Sequence, residues 1–154
     1  MTYAFSTSGI WPATPEPGRL FRWGERDDFM PRVLIADDED SMRSLVARAI
    51  AMDGHETVTA EDGAEALDIL TREQGMFDLL LTDIQMPVMD GIALALAAAR
   101  DFPDLKILLM TGFADQRERA SGLNAIVHDV VTKPFSVHDI RTAVADALAA
   151  RKDG

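Results

Sequence analysis

Five short strand-like runs alternate with segments of helical period, and this alternation constrains the fold more than any other feature of the chain. The runs are VLIA (33–36), ETVTA (56–60), LLLT (79–82), KILLM (106–110) and VVT (130–132). Between the first two, SMRSLVARAIAMDG (41–54) sets Met42, Leu45, Val46, Ala49 and Ile50 at helical spacing and closes on Gly54. AEALDILTREQG (64–75) predicts a helix ending at Gly75, and GIALALAAARDF (91–102) one stopped by Pro103. Residues 115–123 predict a weaker helix with Ser121-Gly122 inside it. Ser136 is placed to cap a last helix over 137–150, with Asp139 at the third position of its first turn. Strands and helices in strict alternation predict an α/β, doubly wound parallel sheet with helices on both faces. The continuous apolar strands agree, because such a sheet is covered on both sides.

The length of 154 residues favours one domain. Residues 1–30 hold Pro12, Pro15 and Pro17 and no sustained periodicity, so they are expected to form a poorly ordered arm. Met30 lies immediately before the first strand and offers an alternative start of translation, an expectation that native peptides from 1–29 would exclude. Residues 31–150 form the expected domain and 151–154 a tail. The net charge of -11 argues against non-specific binding to nucleic acid or to an anionic membrane. No cysteine is present, which excludes disulfides and thiolate chemistry and fits a reducing cytoplasm. The longest wholly apolar run, 92–99, is far too short to span a bilayer, and the N-terminus lacks the pattern of a secretory signal.

In open parallel sheets, ligands bind beyond the carboxyl ends of the strands. Asp37 and Asp38 follow the first run, Asp83 the third, Thr111 the fourth and Lys133 the fifth. The second run leads only to Glu61, Asp62 and Gly63, which read as a turn and a helix start. Taken singly, Asp37-Asp38 could be acids favouring a helix N-terminus, Asp83 a turn acid, Thr111 a loop residue and Lys133 a solvated lysine. Together, each after its own strand, they point to one site. Three converging carboxylates repel one another, and Lys133 supplies a single positive charge. A hard divalent cation held by oxygen ligands answers the imbalance, with Mg2+ the natural choice. Asp83 then becomes a candidate nucleophile forming an acyl phosphate, with Thr111 and Lys133 able to contact the phosphoryl oxygens. Asp90-Gly91 is expected to build only the turn into the third helix, and His55, His128 and His138 share no ligand-like spacing.

With VLIADDEDSMRS, LLLTDIQMPVMDG, ILLMTGFA and VVTKPFS in this order, the chain from Arg32 to about Ala150 resembles the receiver domains of two-component response regulators. The resemblance implies a flavodoxin-like sheet in the order 2-1-3-4-5. It implies that Asp83 is the phosphoacceptor, and that Asp38, Asp83 and the backbone carbonyl of Gln85 ligate Mg2+, with Asp37 acting mainly through water on the metal. It makes Thr111 the switch hydroxyl and Lys133 the phosphoryl-contacting lysine. Many receivers carry an aromatic residue three positions before that lysine; here the position is Val130, so output must travel by another route. Asp129 stands where many receivers have glycine, and 121–124 makes the fourth helix look short or mobile. The implied partners are a sensor histidine kinase or a histidine phosphotransfer protein, and a downstream effector. With little chain left outside the domain, a stand-alone receiver is expected, and the resemblance is then to CpdR-type regulators of alphaproteobacterial cell-cycle control. That subgroup implies an adaptor for protease machinery that binds when unphosphorylated.

Two other functions compete. One is a phosphate-relay intermediate that passes its phosphoryl group to a histidine protein. The other is an aspartyl-nucleophile phosphatase, for which Asp38-Glu39-Asp40 offers a D-x-D after a strand; Ser41 in place of a following Thr or Val, and the lack of a visible cap domain, argue against it. The expectation is a protein that turns over no substrate beyond its own phosphorylation and dephosphorylation.

Overall fold

The computed structural model describes residues 30–112 and 114–150. The expected N-terminal arm (apart from Met30) and the C-terminal tail lie outside the described residues. The elements are β1 (Arg32–Ala36), α1 (Asp40–Ala51), β2 (Glu56–Ala60), α2 (Gly63–Arg72), β3 (Leu79–Asp83), α3 (Gly91–Asp101), β4 (Lys106–Thr111), α4 (Ala114–Ala120), β5 (Asp129–Thr132) and α5 (Val137–Ala149). A 3-10 turn over Ser121–Leu123 follows α4, so the α-helix ends at Ala120 rather than at the expected 123, short as the 121–124 stretch suggested. All strand pairs are parallel, in the order β2-β1-β3-β4-β5.

The sheet sorts its side chains by the period of two that a strand imposes. Val33, Ile35, Leu79, Leu81, Leu108 and Met110 form one buried row, covered by α1 through Val46 and Ile50 and by α5 through Ile140 and Val144. The alternate residues Leu34, Leu80, Ile107 and Leu109 point the other way, beneath Ala66 and Leu70 of α2 and Leu94 and Ala98 of α3. Each fully buried aliphatic side chain of these two layers contributes about 1.5–3 kcal/mol relative to exposure. The central strand β3 is buried along its whole length, whereas edge strands β2 and β5 are partly exposed.

The helices start where side chains satisfy the free N–H groups of the first turn. Asp62, Asp90 and Ser136 accept from the backbone N–H of Glu65, Ala93 and Asp139, and Asp139 returns a bond to Ser136 to complete a capping box. On α4 the buried residues described are Gln116 and Ala120, a spacing of one helical turn. With little apolar surface to bury, this helix is tied by polar bonds: Arg119 pairs with Asp90 at 2.9 Å, and Arg117 donates to the Thr132 hydroxyl on β5. Among the described residues no helix is long and apolar enough to cross a membrane.

Candidate functional site

The polar residues that end the strands keep the parity of the rows below them. Asp37 continues the Val33–Ile35 row, Asp83 the Leu79–Leu81 row, and Lys133 the row of Val131, so all three fall on the α1/α5 side. Asp37, Asp38 and Asp83 present carboxylate oxygens that lie within 4.8 Å of one another. Lys133 Nζ stands 3.3 Å from Asp83 Oδ1 and 3.7 Å from Asp37 Oδ2. The peptide joining Lys133 to Pro134 is cis. Asp38 and Asp83 border an open cavity of about 350 Å3, lined also by Glu39, Gln85, Gly112, Gln116 and Lys133, while Asp37 is buried beside it.

The backbone aims two of the acids. Asp83 Oδ1 accepts from the Ile84 N–H at 3.0 Å, and Asp37 Oδ1 from the Glu39 N–H at 3.0 Å. The loop after β3 folds back tightly, with Gly91 N–H donating to the Ile84 carbonyl at 2.8 Å. A Cβ on Gly91 would lie 2.0 Å from the Asp83 carbonyl oxygen, so only glycine fits there. Asp90-Gly91 therefore does more than turn the chain: Asp90 caps α3 and pairs with Arg119, and Gly91 sets the backbone that carries Asp83.

Burial pushes the carboxyls of Asp37 and Asp83 above the ordinary aspartate value of 3.8, and the nearby Lys133 charge only partly opposes this. Asp37 is fully buried, and its Oδ2 makes no hydrogen bond; the Lys133 contact at 3.7 Å is too long to be one. An oxygen-only donor set, a negative charge excess and a buried carboxylate oxygen without a donor together fit a hard divalent cation such as Mg2+. None of the three histidines joins this group; His128 instead pairs with Asp146 at 3.2 Å.

Thr111 behaves differently. It continues the Ile107–Leu109 row, on the α3/α4 side, and is fully buried. Its hydroxyl donates to Gln116 Oε1 at 3.1 Å. Gly112 N–H donates to the same oxygen at 3.1 Å, and Gln116 Nε2 donates to Gln85 Oε1 at 2.8 Å. Sequence spacing therefore brings Asp37, Asp38, Asp83 and Lys133 together as expected, while the Thr111 hydroxyl is engaged by a residue that spacing did not single out. The signal for Gln116 was faint: it shares a helical face with Ala120 in ADQRERA, a segment with no large apolar residue to turn inward. Val130 packs on the same α3/α4-side core and carries no polar group to the site.

A 2-1-3-4-5 parallel sheet with an acidic cluster and a lysine at its carboxyl edge defines a receiver. Residues 33–145 match the response regulator receiver domain family, and the chain belongs to that family. It is the receiver domain of a response regulator in two-component signalling. Among curated relatives it is 38% identical to the response regulator receiver protein CpdR of Brucella abortus over 121 residues, 79% of this chain and 99% of that protein. It is 36% identical to a probable transcriptional regulator, ycf27, of Guillardia theta over 117 residues, 76% of this chain but only 45% of that protein. The crystal structure of the response regulator TrrA from Thermotoga maritima, in complex with Mg2+ and BeF, superposes with a TM-score of 0.68 at 31% identity, covering 77% of this chain and 99% of that one.

Proposed function

We propose that Asp83 accepts a phosphoryl group from a phosphohistidine on a sensor kinase or a histidine phosphotransfer protein, and that the modified receiver changes its affinity for a partner protein. The observation that carries this is the placement of Asp83 at the mouth of the cavity, with Lys133 Nζ at 3.3 Å and two further carboxylates beside it. An Asp83 carboxylate oxygen attacks the phosphorus, the P–N bond to the histidine breaks, and the imidazole leaves with its electron pair and takes up a proton. An acyl phosphate results. Asp37, Asp38 and Asp83, with the carbonyl of Gln85, would hold Mg2+, which when bound neutralises charge on the phosphoryl oxygens. Lys133 is within reach of the same oxygens, and the Ile84 N–H keeps the Asp83 carboxylate oriented. The protein turns over no substrate but its own phosphoryl group, in the cytoplasm where sensor kinases donate it.

The test is chemical. With Mg2+ and a small phosphodonor, one phosphoryl group should add, stable in acid and labile to base and hydroxylamine. Full labelling surviving in Asp83→Asn would show that another carboxylate accepts it. A second reading, a relay to a histidine protein, predicts rapid loss of the group to an added phosphotransfer domain.

The likeness to CpdR over nearly that protein's whole length favours an adaptor, one that engages protease machinery when unphosphorylated. On this reading Asp83→Ala binds its partner at least as well as the unmodified protein, and beryllofluoride weakens binding. Tighter binding with beryllofluoride would reverse the sign and favour a phospho-activated regulator.

A further inference from the structure

Gln116 is buried, yet the phosphoryl chemistry above gives it no task. Its orientation is fixed by its neighbours. Gly112 N–H can only donate, so the amide oxygen of Gln116 must face it, at 3.1 Å. The Thr111 hydroxyl meets that same oxygen at 3.1 Å and must therefore donate too. The amide nitrogen then faces Gln85 Oε1 at 2.8 Å, two residues beyond Asp83. One side chain on α4 thus joins the end of β4 to the loop that leaves the acidic site.

A threonine hydroxyl has one proton to give. While it is held by Gln116 it cannot be given to a phosphoryl oxygen on Asp83, so the two bonds exclude each other. Loss of the Thr111 bond also loosens α4, because that helix buries little apolar surface and depends on polar ties.

We infer that Gln116 is the positioning residue of the resting state: it holds the Thr111 proton away from Asp83, and surrender of that proton to a phosphoryl group is what releases α4. This rests on the reading of Asp83 as phosphoacceptor and adds to it the residue that opposes switching.

Full-length protein titrated with beryllofluoride in the presence of Mg2+ tests the idea, in wild type, Gln116→Met, Thr111→Ala and the double variant. Methionine keeps the length and bulk of glutamine without its strong acceptor. Gln116→Met should bind beryllofluoride about three- to tenfold more tightly, the ratio expected for removing one opposing hydrogen bond. That gain should vanish in the Thr111→Ala background, where no proton is held. Backbone amide signals of α4 in the unliganded Gln116→Met protein should shift toward those of loaded wild type. An unchanged affinity, or an equal change in both Thr111 backgrounds, assigns Gln116 a merely structural part and overturns the inference. Should Gln116→Met melt early, Gln116→Asn, which keeps the amide but shortens its reach, takes its place in the same cycle. Binding to wild type that persists in Asp83→Ala would remove the phosphoacceptor reading and this inference with it. Binding that needs Asp83 but ignores Gln116 removes only the inference.

Discussion

Asp83 is held in an environment that disfavours its charged form. Its carboxyl is raised above 3.8 by burial, with Lys133 in partial opposition, and the buried Asp37 carboxyl is raised in the same way. A carboxyl whose folded pKa is raised favours the folded state most below its unfolded value, and that contribution is lost as pH climbs through the raised one. At neutral pH the metal-free protein therefore bears a cost at Asp83. Asp83→Asn keeps the Ile84 N–H bond and removes the charge. It should raise metal-free stability by about 1–2 kcal/mol near pH 7. The gain should shrink as pH falls through the raised value and vanish below 3.8, where Asp83 is uncharged in the folded and the unfolded chain alike. Paired urea titrations across pH measure the difference directly; a gain that stays constant into acid would show that charge is not its source. Lys133 is the counterpart: Lys133→Ala leaves the acids without their cation and should raise both carboxyls further while sparing the backbone bonds to Asp37 and Asp83.

The loop between β3 and α3 concentrates the local constraints. Val88 adopts φ 70, in the left-handed region, and the residue is 83% exposed, so little packing offsets the crowding of a branched Cβ. Val88→Gly should stabilise the protein by about 0.5–1 kcal/mol, read as a rise in melting temperature. Gly91→Ala should do the opposite. Its Cβ would meet the Asp83 carbonyl oxygen at 2.0 Å, and the loop must move to admit it, taking the Asp83 backbone along. A loss of about 3 kcal/mol or more, together with weakened Mg2+ binding, is expected. Asp90→Ala separates the two roles of this loop: loss of the α3 cap should cost about 1 kcal/mol while Mg2+ binding persists.

For the molecule as a whole, the consequence of clustering Asp37, Asp38 and Asp83 is that a cation which binds only the folded form stabilises all of it. Mg2+ at about ten times its dissociation constant should add about 1.4 kcal/mol, seen as a higher melting temperature. Asp38→Ala should abolish that rise, because it removes an exposed carboxylate bordering the cavity without disturbing the core. A full Mg2+ effect in Asp38→Ala would move the metal elsewhere. The -11 net charge makes the surrounding field attractive to cations of any kind, so the comparison belongs at constant ionic strength.

The alternation of strand-like and helical runs was enough to determine the parallel sheet, because a strand buried on both faces must be apolar throughout and a covering helix must repeat its apolar residues every three to four positions. It also located the acidic edge, since in such a sheet the residue after each strand arrives at a known end; Asp37, Asp38, Asp83 and Lys133 were legible for that reason. The strand order was implied by the resemblance of motifs and not by periodicity, because crossover rules restrict handedness without selecting neighbours. What only the tertiary structure decided is where each polar side chain points and what it meets. Thr111 lies on the opposite row from Asp83, and its hydroxyl meets Gln116, which also bonds Gly112, 4 positions away, and Gln85, 31 positions away along the chain. Asp90 finds Arg119 across 29 positions, and Gly91 abuts a carbonyl that no pattern of residue types announces. Periodicity reports which face of an element is buried; hydrogen bonds between elements depend on their packing, and that is set by the whole core at once.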